Sequence, residues 1–150
     1  YIENSEITAV DISEKALGIA KRNAKINKVE NKITFVKSDL FNNLANNKFD
    51  IIVSNPPYIK KQTIKTLEKQ VQKEPLIALD GGEDGLDFYK KIIKNAYIFL
   101  KYNGYLCFEI GYDQKQEVID LIVKEEKYIN TYSKKDLYDN DRIVITKVGW

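Results

Sequence analysis

Phe49-Asp50-Ile51-Ile52-Val53-Ser54 runs directly into Asn55-Pro56-Pro57-Tyr58. The first six residues are nearly all apolar, the pattern of a strand covered on both faces in a parallel sheet. Proline cannot donate to a sheet ladder, so two in succession end the strand at Asn55. The prolines also stiffen the turn and remove two N–H groups. What faces outward is a pair of acceptors, the Asn55 side-chain oxygen and the Pro56 carbonyl. A planar NH₂ group has two donors, and two acceptors at this spacing hold it in one orientation. Tyr58 adds an aromatic face on which a flat group can stack.

Towards the N-terminus, Ile7-Thr8-Ala9-Val10 reads as a strand ending at Asp11. Ser13 follows as a helix N-cap. Ala16, Leu17, Ile19, Ala20, Ala24 and Ile26 then recur at helical spacing. Ile33-Thr34-Phe35-Val36 is a second strand, ending before Ser38-Asp39. Past Tyr58 comes a lysine-rich irregular stretch, then Leu76 to Leu79 and the turn Asp80-Gly81-Gly82. A helix begins near Leu86, with Phe88, Ile92, Ile93, Ala96 and Leu100 on one face, and Gly104 is expected to stop it. Tyr105 to Ile110 is the next strand, Gln114 to Glu126 a helix, and Tyr128 to Tyr132 and Ile143 to Val148 the last strands. Strands alternating with helices predict an α/β fold with a mostly parallel sheet. Ligands of such sheets sit beyond the carboxyl ends of the strands, where Asp11, Asp39 and Asn55 all fall.

Composition narrows the chemistry. The 150 residues bury roughly 70% of their unfolded surface, enough for one core, and a single domain spanning 1–150 is expected. Lysine and arginine number 24 against 22 acidic residues, without the concentrated basic face of a nucleic-acid binder. Lys60, Lys61, Lys65, Lys69 and Lys73 are the one local excess, either a solvated face or a contact for an acidic partner. The chain has no histidine, which removes the zinc site and the Ser-His-Asp triad. The single cysteine, Cys107, lies in an apolar run and reads as a small buried hydrophobe. No apolar stretch approaches the ~20 residues that span a bilayer, and a reducing cytoplasmic setting is expected.

The acidic strand ends suit a nucleoside. Asp11 can accept both ribose hydroxyls, or serve only as a second cap beside Ser13. Asp39 can accept from an adenine amino group with Leu40 or Phe41 on the ring, or be an ordinary turn aspartate. Gly81-Gly82-Glu83-Asp84-Gly85 lacks phosphate-loop spacing and reads as a tight turn and helix entry. Glu109, a charge in an apolar strand, calls for a structural partner or, as the alternative, a site. An amide nitrogen is a poor nucleophile. Holding its two N–H groups and aligning it with a donor contributes about 7–11 kcal/mol through orientation, with no titrating base.

Four segments stand in order: Ala9 to Ser13, Ile52 to Ile59, Glu74-Pro75 with Ala78 to Tyr89, and Glu109 to Gln114. Together they resemble the HemK/PrmC-type protein-glutamine methyltransferases over essentially the whole chain. Asn-Pro-Pro-Tyr alone is shared with adenine and guanine amino-methyltransferases; the segment from Glu74-Pro75 to Leu86 is more specific. The resemblance implies a class-I, Rossmann-like methyltransferase fold with S-adenosyl-L-methionine as cofactor. It implies as substrate the glutamine amide in the Gly-Gly-Gln loop of class-I peptide chain release factors. Asp11 would hold the cofactor ribose, Asp39 and Leu40 would flank the adenine, and Ile12 and Asn55 would also touch the cofactor. Asn55, Pro56, Pro57 and Tyr58 would hold the amide, with Asn55, Pro56 and Tyr58 catalytic. The lysine-rich stretch would face the release factor.

The departures concern the start. The family's Gly-rich loop, first strand and N-terminal helical domain have no counterpart here, and Tyr1 would fall within the helix that follows that loop. A partial catalytic domain that by itself binds cofactor poorly and has no useful activity is expected. Two other readings stand beside this one: an adenine or guanine amino-methyltransferase, and a non-catalytic fragment that self-associates through exposed strand edges.

Overall fold

The computed structural model describes residues 4–45 and 47–149, so the expected helix at Tyr1 lies outside the described residues. Two compact units divide the chain, Tyr1–Asn47 and Lys48–Trp150.

In the first unit, β1 (Ile7–Asp11) feeds α1 (Glu14–Ile26), which returns the chain to β2 (Ile33–Lys37). The cap is the one the sequence predicts: Ser13 Oγ accepts from the Ala16 N–H at 3.2 Å. Leu17 and Ala24 are the buried residues of α1, while Ile19 and Ile26 on the predicted apolar face are exposed. β1 and β2 pair in parallel, with Asp11 opposite Lys37.

The second unit carries a four-stranded sheet in the order β3-β4-β6-β5. β3 (Phe49–Ser54) and β4 (Leu100–Glu109) are parallel, whereas β6 (Asp141–Val148) runs antiparallel to both β4 and β5 (Tyr128–Lys135). α2 (Asp87–Phe99) and α3 (Lys115–Lys124) supply the helical layer. Leu106, Phe108, Val144, Thr146 and Val148 alternate onto one buried sheet face. Tyr89 of α2 packs edge-on against Phe108, with ring centroids 5.2 Å apart. The Tyr128 hydroxyl donates to the Ile93 carbonyl at 2.6 Å, tying β5 to α2.

Two expectations change. Gly104 does not stop the helix. α2 ends at Phe99, the chain enters β4 at once, and Asn103 (φ 62°) with Gly104 makes an excursion within the strand. The register marks it: Phe49 faces Leu100, but Ile51 faces Tyr105. Nor is β3 covered on both faces. It is the edge strand of its sheet, and Ile51 and Val53 are 52% and 75% exposed. β1 likewise pairs with β2 alone, so no strand joins the two sheets among the described residues.

Candidate active site

In the first unit the parallel ladder puts the ends of β1 and β2 side by side. The Ser38 N–H donates to the Asp11 carbonyl at 3.1 Å. Asp11 Oδ1 accepts from the Ser13 N–H at 2.7 Å, so the carboxylate does help to start α1. One such bond uses only part of a carboxylate's acceptor capacity, which is about four lone pairs. The buried Ser38 accepts from the Asn43 N–H at 2.8 Å, and Asn43 Nδ2 donates to the Lys37 carbonyl at 2.8 Å. These bonds fix the turn that presents exposed Asp39 and half-buried Leu40, whose φ is 49°. Ile12 is exposed beside Asp11.

In the second unit Ser54 lies opposite Phe108, so Asn55 and Glu109 leave their strands at the same end. Asn55 is exposed, Pro56 buried, and Pro57 and Tyr58 half-buried. The chain beyond the turn is gripped by the segment that the sequence offers as a tight turn and helix entry. The Ile59 N–H donates to Leu79 O at 3.0 Å, Gly81 N–H to Ile59 O at 2.9 Å, and Lys61 N–H to Gly82 O at 3.0 Å. The packing admits no side chain. A Cβ on Gly81 would stand 2.8 Å from Tyr58 Cα, and one on Gly85 (φ 77°) 2.5 Å from the Tyr58 carbonyl oxygen. Gln114 closes the arrangement, its Nε2 donating to Tyr58 O at 3.1 Å. In the sequence, Gln114 is a helix start and the end of one resembling segment, with no role of its own. No sequence signal marks this role, and in the structure its side chain makes no capping bond to α3.

Glu109 contributes through its backbone: its carbonyl accepts from the Tyr89 hydroxyl at 2.9 Å. Its carboxylate enters no ion pair among the described residues, so the structural contact found for Glu109 is made by its backbone. Burial, then the neighbouring Tyr58 and Glu109, push the Tyr89 hydroxyl above the ordinary tyrosine range, so it remains a donor at neutral pH. Cys107 is half-buried rather than buried, and desolvation raises its thiol, which leaves it a poor nucleophile. Lys61 meets Glu83 at 4.0 Å in an exposed pair, which adds little stability. Among the described residues, no three His, Cys, Asp or Glu groups cluster as metal ligands, and no helix is long and apolar enough to cross a membrane.

Each unit thus presents polar acceptors at the carboxyl ends of parallel strands: carboxylates in the first, an amide and a proline-bounded turn in the second. The family described as "Methyltransferase small domain" matches residues 2–83, which include both sets. The chain belongs to that family. A release factor glutamine methyltransferase of Fusobacterium nucleatum is 44% identical over 148 residues, covering 97% of this chain and 41% of the relative. A ribosomal protein uL3 glutamine methyltransferase of Francisella tularensis is 46% identical over 112 residues, 75% of this chain and 36% of the relative. The chain therefore spans less than half the length of these two relatives. The HemK/PrmC resemblance is borne out by the first of them. A methyltransferase from Pyrococcus furiosus shares the fold, with a TM-score of 0.69, 19% identity, and coverage of 97% of this chain and 63% of that one. The α/β, class-I methyltransferase fold expected from the sequence is borne out, with antiparallel strands β6 and β5 added at one side of the four-stranded sheet.

Proposed function

We propose that the protein transfers a methyl group from S-adenosyl-L-methionine to the side-chain amide nitrogen of a glutamine in a class-I peptide chain release factor. We read residues 1–150 as part of one catalytic domain. The observation that carries the reading is the Asn55-Pro56-Pro57-Tyr58 turn, held at a strand end with Asn55 exposed. The names of the relatives support the glutamine amide as acceptor.

The donor set fits the cofactor. Asp11 and Asp39 stand at neighbouring strand ends, and Asp11 keeps acceptor capacity beyond its bond to Ser13, suited to ribose hydroxyls. Asp39 accepts from the adenine amino group, with Leu40 and Ile12 as apolar walls. The bound cofactor supplies an electrophilic methyl group on a sulfonium. In this reading the Asn55 side-chain oxygen and the Pro56 carbonyl accept the two N–H bonds of the glutamine amide, and Tyr58 stacks on its plane. This holds the amide in one orientation, and orientation is the protein's main contribution. No histidine is required, and the excess proton leaves to solvent after transfer.

A second substrate has a specific observation behind it, the 46% identity to a relative named for methylating ribosomal protein uL3. The test is methyl transfer by the protein at its full natural length, offered a release factor, uL3, or RNA and DNA carrying adenine and guanine. Mass spectrometry then locates the methyl group. Methylation of the release factor glutamine, abolished when that glutamine is changed to glutamate, is the expected result. Methylation of uL3 alone would move the substrate, and methylation only of nucleic acid would overturn the amide reading.

A further inference from the structure

We infer that Gln114 is a positioning residue for the amide-holding turn, acting through the Tyr58 carbonyl; the inference rests on the reading that Asn55 to Tyr58 hold the substrate. Gln114 is only 4% exposed, in a chain whose other buried polar residues are Ser38 and Thr146 among those described. It sits just ahead of α3, yet its side chain caps nothing there. Instead its amide reaches three backbones. Nε2 donates to Tyr58 O at 3.1 Å and to Gly85 O at 3.3 Å, while Oε1 accepts from the Gly111 N–H at 3.1 Å. Both amide hydrogens are used, and the opposite orientation of the amide would set its oxygen against two carbonyls.

The surroundings are shaped to this side chain. A Cβ on Gly85 would stand 2.7 Å from Nε2, and one on Gly111 2.8 Å from Oε1. Pro56 and Pro57 have no N–H with which to anchor the turn. The grip of Gln114 on the Tyr58 carbonyl fixes the peptide plane that leads out of the turn. The neighbouring Ile59 peptide is held from the other side by Leu79 and Gly81. A turn that must present two acceptors to one NH₂ group tolerates little rotation, and a displacement near 1 Å costs about 10²-fold in rate.

The test is Gln114→Glu in the protein at its full natural length. An ionised glutamate keeps the shape but has no hydrogen for the Tyr58 and Gly85 carbonyls; a protonated one regains a single donor. The expected result is a kcat lowered by about 10²-fold at alkaline pH and recovering as pH falls, with affinity for S-adenosylhomocysteine within about threefold of wild type. Gln114→Met, read beside it with circular dichroism to check folding, is expected to lose kcat at every pH. Hydrogen exchange at the Ile59, Gly81 and Gly111 amides, faster in both variants, reports the turn without reference to activity. Wild-type kcat in Gln114→Glu across the pH range would overturn the inference and leave the proposed function standing. If wild-type protein methylates no glutamine, the proposed function fails, and unchanged exchange at those amides would then overturn the positioning role as well.

Discussion

Glycines divide sharply by what surrounds them. Gly18 lies within α1 with nothing within 4 Å of its would-be Cβ. Gly18→Ala is expected to stabilise the protein by about 0.5–1 kcal/mol, since glycine within a helix is the costlier residue. Gly85 is the opposite case, with a positive φ and the Tyr58 oxygen in the way. Gly85→Ala is expected to destabilise by about 1–3 kcal/mol and to lower methyl transfer, both read from denaturant midpoints and initial rates. Equal effects of the two substitutions would contradict the packing described. Asn55 and its prolines were legible in the sequence because strand termination is a local property. Gln114 was not: its three partners lie at Tyr58, Gly85 and Gly111, and only the fold brings the first two to it.

Among the elements, the caps and strands of the first unit were read nearly to the residue, Ser13 and β2 included. Their signals are side-chain oxygens before apolar periodicity and short β-branched runs. The end of α2 was misread because Leu100 continues the helical spacing while belonging to β4, and tertiary pairing with Phe49 decides it. The β5–β6 hairpin carries a pH signature. Asp141 is held below its ordinary 3.8 first by the Ser133 hydroxyl and then by Lys115. Asp136 is lowered chiefly by the Asn140 N–H. A carboxyl depressed in the folded state contributes stability above its unfolded value and loses it as pH falls through the folded one. The midpoint of unfolding is therefore expected to stay level, as far as these groups go, from about pH 7 to about pH 5 and to fall below 3.8. Asp141→Asn should flatten that acid limb; an unchanged limb would mean that the hairpin carboxyls do not set it.

Taken as a whole, the molecule is uneven. The largest fully buried side chains, Tyr89, Phe108, Ile92, Ile93 and Leu106 among them, all belong to Lys48–Trp150. Tyr1–Asn47 carries a two-stranded sheet, a size that is marginal alone. In the 150-residue chain, amides of Ile7–Asp11 and Ile33–Lys37 are expected to exchange hydrogen well before those of Leu106–Phe108 and Val144–Thr146. Equal protection would show a single cooperative unit. The exposure of Ile51 and Val53 was not legible, because an apolar run reports what a strand is suited to cover, not what stands against it. In the proposed function, Asn55 holds the acceptor amide during methyl transfer. Its most direct test is single-turnover methylation of a release factor, with saturating cofactor, by full-length wild type and Asn55→Ala. The chemical step is expected to slow by about 10²-fold or more in Asn55→Ala, with S-adenosylhomocysteine bound to within about tenfold. A transfer rate unchanged by the loss of Asn55 would contradict it.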